Sequence, residues 1–123
     1  MSENNLKPLS PYSLAHNSTE VRYYEYKKQA EEQGFDNTEI WNLFVTIAKF
    51  LVPRLKVYRR DFMSFPSELT VEEWQEILDK MIEGFELIAN DHFELDYKEQ
   101  LKYRAKEQEA VDLLHKYYFH LWD

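Results

Sequence analysis

Two neighbouring stretches of the sequence concentrate charge at helical spacing. In Lys49-Phe-Leu-Val-Pro-Arg-Leu-Lys-Val-Tyr-Arg-Arg60, placing residues at about 100° each gathers Lys49, Lys56 and Arg60 on one side of a helix, with Arg59 beside them. Such a face can bind phosphate or an acidic partner, or it can complement an acidic helix of the same chain. Arg54 falls instead between Leu43 and Ile47, on the side expected to be buried, where an unpaired guanidinium is costly. It is expected to meet a carboxylate such as Asp79, Glu83 or Glu86, or else to hold an anionic ligand. Further along, Glu72, Glu76, Asp79, Glu83 and Glu86 form an acidic row. Like charges at i+3 and i+4 weaken a helix unless basic groups or a partner neutralise them. The row can therefore be a solvated face, or a docking surface that imitates a phosphate backbone.

Other reactive groups are less organised. Asn90-Asp-His-Phe-Glu-Leu-Asp96 gathers Asp91, His92 and Glu94, ligand types that suit a divalent cation, but it lacks the glycine of a calcium loop, and Asp96 is better placed as a helix cap. His115 and His120 are five apart and point to different sides of a helix, poor geometry for a shared metal. Ser10, Ser13, Ser18, Ser64 and Ser67 sit in arm, cap or turn contexts, none in a Gly-x-Ser-x-Gly setting. No cysteine occurs, which excludes disulfides, thiol catalysis and thiolate-bound zinc. These residues give no support to an enzyme and imply no cofactor.

The elements that must position these groups follow from composition and pattern. With 123 residues the chain has room for one core, and its 44% hydrophobic and 31% charged residues are globular proportions. Two glycines and four prolines are too few for a many-turned β-sandwich or a phosphate-cradling α/β fold, so an all-α chain is expected. The formal charge of -8 argues against general binding to nucleic-acid phosphate. No run of about 18 apolar residues is present, and the start lacks a basic, apolar leader, so a cytoplasmic protein with no membrane contact is expected.

The expected architecture is a compact bundle of about four helices, residues 18–123, preceded by an extended arm at 1–17 that Leu6, Leu9, Tyr12 or Leu14 could pin. The first helix is capped by Asn17 or Ser18 and ends at Gly34. The second opens at the Asp36/Glu39 capping box and runs to about Phe62. Its apolar face holds Ile40, Leu43, Phe44, Ile47, Leu51, Leu55, Tyr58 and Phe62, with a kink at Pro53. The third starts at the Thr70/Glu73 box with a Leu69/Trp74 staple and ends near Asn90. The last opens at Asp96 and carries Ala110, Val111, Leu114, Tyr117, Tyr118, Leu121 and Trp122 as its docked stripe. Tyr23, Tyr24, Tyr26, Phe119 and Trp122 supply either a homodimer interface or the closure of a four-helix core.

The segment Trp41-Asn-Leu-Phe-Val-Thr-Ile-Ala-Lys-Phe-Leu-Val-Pro-Arg-Leu-Lys56 resembles a family of small, uncharacterised helical proteins encoded by bacteriophages. The resemblance continues through Glu72-Glu-Trp-Gln-Glu-Ile-Leu-Asp-Lys-Met-Ile-Glu-Gly-Phe-Glu86 and the terminal Leu121-Trp-Asp123, leaving out the arm and first helix. Phe44 departs from the acidic residue associated with that place in relatives. The family has no assigned activity, so the resemblance implies a phage or prophage origin and transfers no catalytic residue. Small acidic phage proteins without enzyme motifs often bind and alter a host machine. The leading expectation is thus a protein-binding inhibitor of a host nucleic-acid enzyme or defence effector, such as a CRISPR effector, acting through the acidic row or the Tyr-rich first helix. The alternative is a small-ligand or nucleic-acid binder using Arg54, Lys56, Arg59 and Arg60. A metal-dependent enzyme at Asp91, His92 and Glu94 comes last.

Overall fold

A computed structural model describes residues 6–90 and 96–122. The fold is all-α: four α-helices, α1 (Glu20–Gln33), α2 (Leu43–Asp61), α3 (Val71–Ala89) and α4 (Tyr97–Tyr117), with short 3-10 turns at Ala15–Asn17, Asn37–Ile40 and Tyr118–His120. No strand occurs among the described residues. The chain forms two compact units, Met1–Thr46 and Ile47–Asp123, and the boundary falls inside α2.

In the first unit, Thr19 caps α1 by accepting the Arg22 N–H, so the helix begins after Asn17 and Ser18 rather than on them. Asn17 instead closes the 3-10 turn Ala15–Asn17. At the other end Gly34 takes the left-handed conformation, φ 88°, that a side chain would oppose, and its N–H returns to the Ala30 carbonyl. Ala15, Tyr23 and Tyr26 form a small buried cluster, and Leu6 and Leu9 from the expected arm pack against it.

The Asp36/Glu39 capping box is present, but it starts only the 3-10 turn Asn37–Ile40 and not a long helix. Asn42 then adopts φ 51°, a backbone state that asparagine tolerates better than most residues, and α2 starts afresh at Leu43. The restart takes Ile40 out of the helix, and of the expected face Leu55 is buried while Leu51, Tyr58 and Phe62 are half-buried. Val45, Ala48 and Leu55 are buried, whereas Leu43, Phe44 and Ile47 are exposed. The sequence carries two apolar stripes on this helix, and its periodicity does not choose between them.

The second unit is dominated by the antiparallel pair α3 and α4. The capping box of Thr70 and Glu73 is reciprocal: Glu73 N–H donates to Thr70 Oγ1 and Thr70 N–H to Glu73 Oε1. Asp96 accepts from the Glu99 N–H at the start of α4. On α3 the buried positions include Trp74, Leu78, Met81, Phe85 and Ile88, a spacing of four and three that makes one continuous seam. On α4 the matching seam has Glu107, Ala110 and Tyr117. Trp74 meets Tyr117 edge-on, with ring centroids 5.4 Å apart. Gly84 allows the helices to touch, since a Cβ there would lie 2.6 Å from the Lys106 carbonyl oxygen and closer still to Ala110 Cβ.

The C-terminal stripe departs from expectation. Ala110 and Tyr117 are buried, but Val111, Tyr118 and Trp122 are exposed, as is Phe119. The chain end is nevertheless held from outside the seam, because the Tyr58 hydroxyl lies 3.2 Å from the His120 carbonyl and 3.4 Å from that of Trp122. One hydroxyl proton serves one of these oxygens at a time.

Candidate functional site

The basic side of α2 and the acidic row of α3 meet within the second unit. Arg59 forks onto Asp79, its Nε donating to Oδ1 at 2.9 Å and its Nη2 to Oδ2 at 3.4 Å. Lys56 Nζ lies 3.3 Å from Glu86 Oε1. From the other side, Lys106 of α4 donates to Glu83, and that bond, more than the charge itself, holds the ammonium pKa above its ordinary value. Within α3, Lys80 approaches Glu76 at 3.9 Å. Of the five carboxylates of the row, only Glu72 is left outside these pairs. Arg60 turns the other way and holds Asp61 with two bonds of 2.8 and 2.7 Å; they push the guanidinium pKa up and the carboxyl pKa down.

These pairs change what each face can do. Solvated ion pairs are individually weak, about 0–1 kcal/mol, so they set register more than stability. They do cancel the local fields that a phosphate mimic or a phosphate binder would need. A hollow of about 320 Å³ beside the row is lined by Asp79, Glu83 and Glu86 with Ile82 and Leu87, and the three acids there are those already held by Arg59, Lys106 and Lys56.

Arg54 is exposed and is not the buried group expected from the helical wheel. The buried side of α2 is turned towards Val45 and Ala48, which leaves Arg54 with the exposed Leu43 and Ile47, and the guanidinium settles over Phe50, 3.8 Å from the ring centroid, while Nη1 donates to the Phe50 carbonyl at 2.9 Å. Lys49 is exposed on the same helix. Arg54 and Phe50 thus form a cation–π cap within an outward apolar stripe that also holds Ile47 and Val57.

No protein-family model, curated protein or solved structure matches this chain. Asp91, His92 and Glu94, the suggested cation site, lie outside the described residues. Among the described residues no group of three His, Asp or Glu side chains could hold a metal ion, and no helix is long and apolar enough to cross a membrane.

The first unit also holds a polar cluster that sequence pattern does not reveal. Asp36 is fully buried, and its carboxylate accepts from the Ser13 hydroxyl, the Thr38 hydroxyl and, at 2.8 Å, the Thr38 N–H. The hydroxyls in turn accept backbone bonds: Leu14 N–H to Thr38 Oγ1 at 2.8 Å and Ala15 N–H to Ser13 Oγ at 3.1 Å. With Ser13 only 3% exposed, this Ser–Asp contact is closed to a substrate and works as a fastening between residues 13–15 and the 3-10 turn. The capping-box spacing marks Asp36 as a local cap, and nothing in the sequence marks its pairing with Ser13.

Proposed function

We propose that the protein acts by binding a protein partner through the outward stripe of α2, in the role that the phage resemblance implies: an accessory inhibitor of a host nucleic-acid enzyme or defence effector, working in the host cytoplasm. One observation supports the choice of surface. Ile47, Phe50 and Val57 are 46%, 45% and 49% exposed on one side of α2, where a solvated helix would carry polar residues. The Arg54 guanidinium over Phe50 adds a residue type enriched at interface hot spots. The acidic row is less suited to this role, because a partner would have to displace Lys56, Arg59, Lys80 and Lys106 before meeting its charge. The net charge of -8 favours a protein partner over nucleic acid.

The test is affinity capture from nuclease-treated host lysate with three proteins: the natural chain, an Ile47→Asp/Phe50→Ser variant, and a Glu72→Gln/Glu76→Gln variant. The captured partner is expected to disappear from the stripe variant, with a fall of at least about tenfold, and to persist with the acidic-row variant. Loss only in the latter would move the interface to α3. A concentration-dependent mass that the stripe substitutions abolish would instead make this face a contact between copies of the chain.

A further inference from the structure

The first unit contains a second feature, independent of the α2 stripe: a hollow of about 400 Å³ whose walls include Leu14, Asn17, Thr19, Arg22, Tyr26 and Trp41. We infer that this hollow is a binding site for a small planar aromatic molecule bearing one anionic group, a carboxylate or a phosphate.

The walls are built by local rules. Arg22 and Tyr26 are four apart on α1 and therefore share a face, and the Arg22 guanidinium carbon lies 5.9 Å from the centre of the Tyr26 ring. The Arg22 backbone N–H is held by the Thr19 cap at 3.3 Å, which fixes the start of the helix and so the place from which the side chain departs. Tyr26 is buried, and Trp41 meets it edge-on at 6.1 Å and 89°. Trp41 remains 50% exposed, so much of the indole is open to a second ring. Leu14 supplies an aliphatic wall.

Charge selects the rest of the ligand. This chain has more acids than bases, 23 against 15, yet Arg22 makes no ion pair with any carboxylate among the described residues. Its guanidinium retains planar, forked donors suited to a carboxylate or phosphate. The Asn17 side-chain amide makes no hydrogen bond among the described residues and offers a donor and an acceptor at the rim. A hollow of this size is within the range of about 300–1,000 Å³ typical of small-molecule sites. A neutral ring would leave Arg22 unused, and a bare anion would leave the exposed face of Trp41 unused. A ring with one anionic group engages both.

Titration of the isotope-labelled full chain, followed at the Trp41 indole N–H and the Arg22 side-chain N–H, tests this inference. The probes are indole-3-acetate as an aromatic carboxylate, adenosine monophosphate as an aromatic phosphate, and adenosine and inorganic phosphate as halves of the ligand. Saturable shifts are expected for at least one aromatic anion, with each half at least about tenfold weaker. Which aromatic anion saturates decides between carboxylate and phosphate. Arg22→Gln, an exposed substitution, should weaken binding at least about tenfold, equivalent to about 1.4 kcal/mol, without altering the helical circular dichroism. Trp41→Leu should weaken it through loss of the ring. Linear, non-saturating shifts with both aromatic anions up to about 10 mM, or an Arg22→Gln protein that titrates like the natural chain, would overturn the site. Neither result bears on capture of a partner by the α2 stripe.

Discussion

The first unit closes around a buried carboxylate, whereas the second closes around a seam of apolar side chains. In the first, Asp36 gathers donors from Ser13 and Thr38, and the hydroxyls bind the backbone of residues 14 and 15 in turn. Its apolar cluster of Ala15, Tyr23 and Tyr26 is small. In the second, Trp74, Leu78, Met81 and Phe85 are buried along α3, Trp74 meets Tyr117 of α4, and Gly84 lets the two helices come close. The two designs should fail differently. An apolar seam depends on volume and tolerates changes of shape. A buried polar cluster depends on having every donor and acceptor matched, so it is intolerant even of isosteric change.

The largest effect is expected at Leu78, which is fully buried in the seam. Leu78→Ala should cost about 2–5 kcal/mol through lost burial and an unfilled cavity, while Leu78→Met should cost less than about 1.5 kcal/mol. Urea unfolding of the two variants measures the difference, and equal losses would show that the seam also depends on shape. Next comes Asp36→Asn, which keeps the shape but places an amide among donors. It should cost about 1–3 kcal/mol, and hydrogen exchange at the Leu14 and Ala15 amides should quicken first. A neutral outcome would mean that the first unit is held by its aromatic cluster and not by the carboxylate.

The smallest effect belongs to the solvated pair Arg60–Asp61. Hydrogen bonding to Arg60 lowers the Asp61 pKa from its ordinary 3.8. A depressed carboxyl contributes stability that is complete above the unfolded value and is lost as the pH falls through the lower, folded one, so this contribution fades only below about pH 4. Arg60→Gln should bring the Asp61 titration, read by carboxyl NMR, back up towards its ordinary value with little change in melting temperature. A large loss of stability on this substitution would place the pair among the groups that hold the fold together.

Local features are legible in the amino-acid sequence. Thr70 with Glu73, Asp96 and Gly34 act where their spacing suggests, because caps involve residues within one turn of each other. Partnerships between distant residues are not legible in this way. Ser13 and Asp36 are 23 positions apart, and a serine in a Pro-containing arm gives no sign that it will be buried. Gly84 and Ala110 are likewise far apart in the sequence, and only packing shows why α3 has a glycine there. A helical wheel puts Arg54 on the wrong side because α2 has apolar residues around more than one side, and packing buries Val45, Ala48 and Leu55 rather than Leu43 and Ile47 beside Arg54.

Composition and interactions spanning a few residues suffice to make the chain helical, to end α1 and begin α3 where they do, and to lay a basic and an acidic face on consecutive helices. Packing in three dimensions settles the rest: Arg59 and Lys56 neutralise Asp79 and Glu86, Ile47, Phe50 and Val57 face outward, and Arg22 stands over Tyr26 in a hollow with Trp41. Each of those outcomes depends on which faces meet, and no short-range pattern encodes that choice, because the partners of each face lie far away in the sequence.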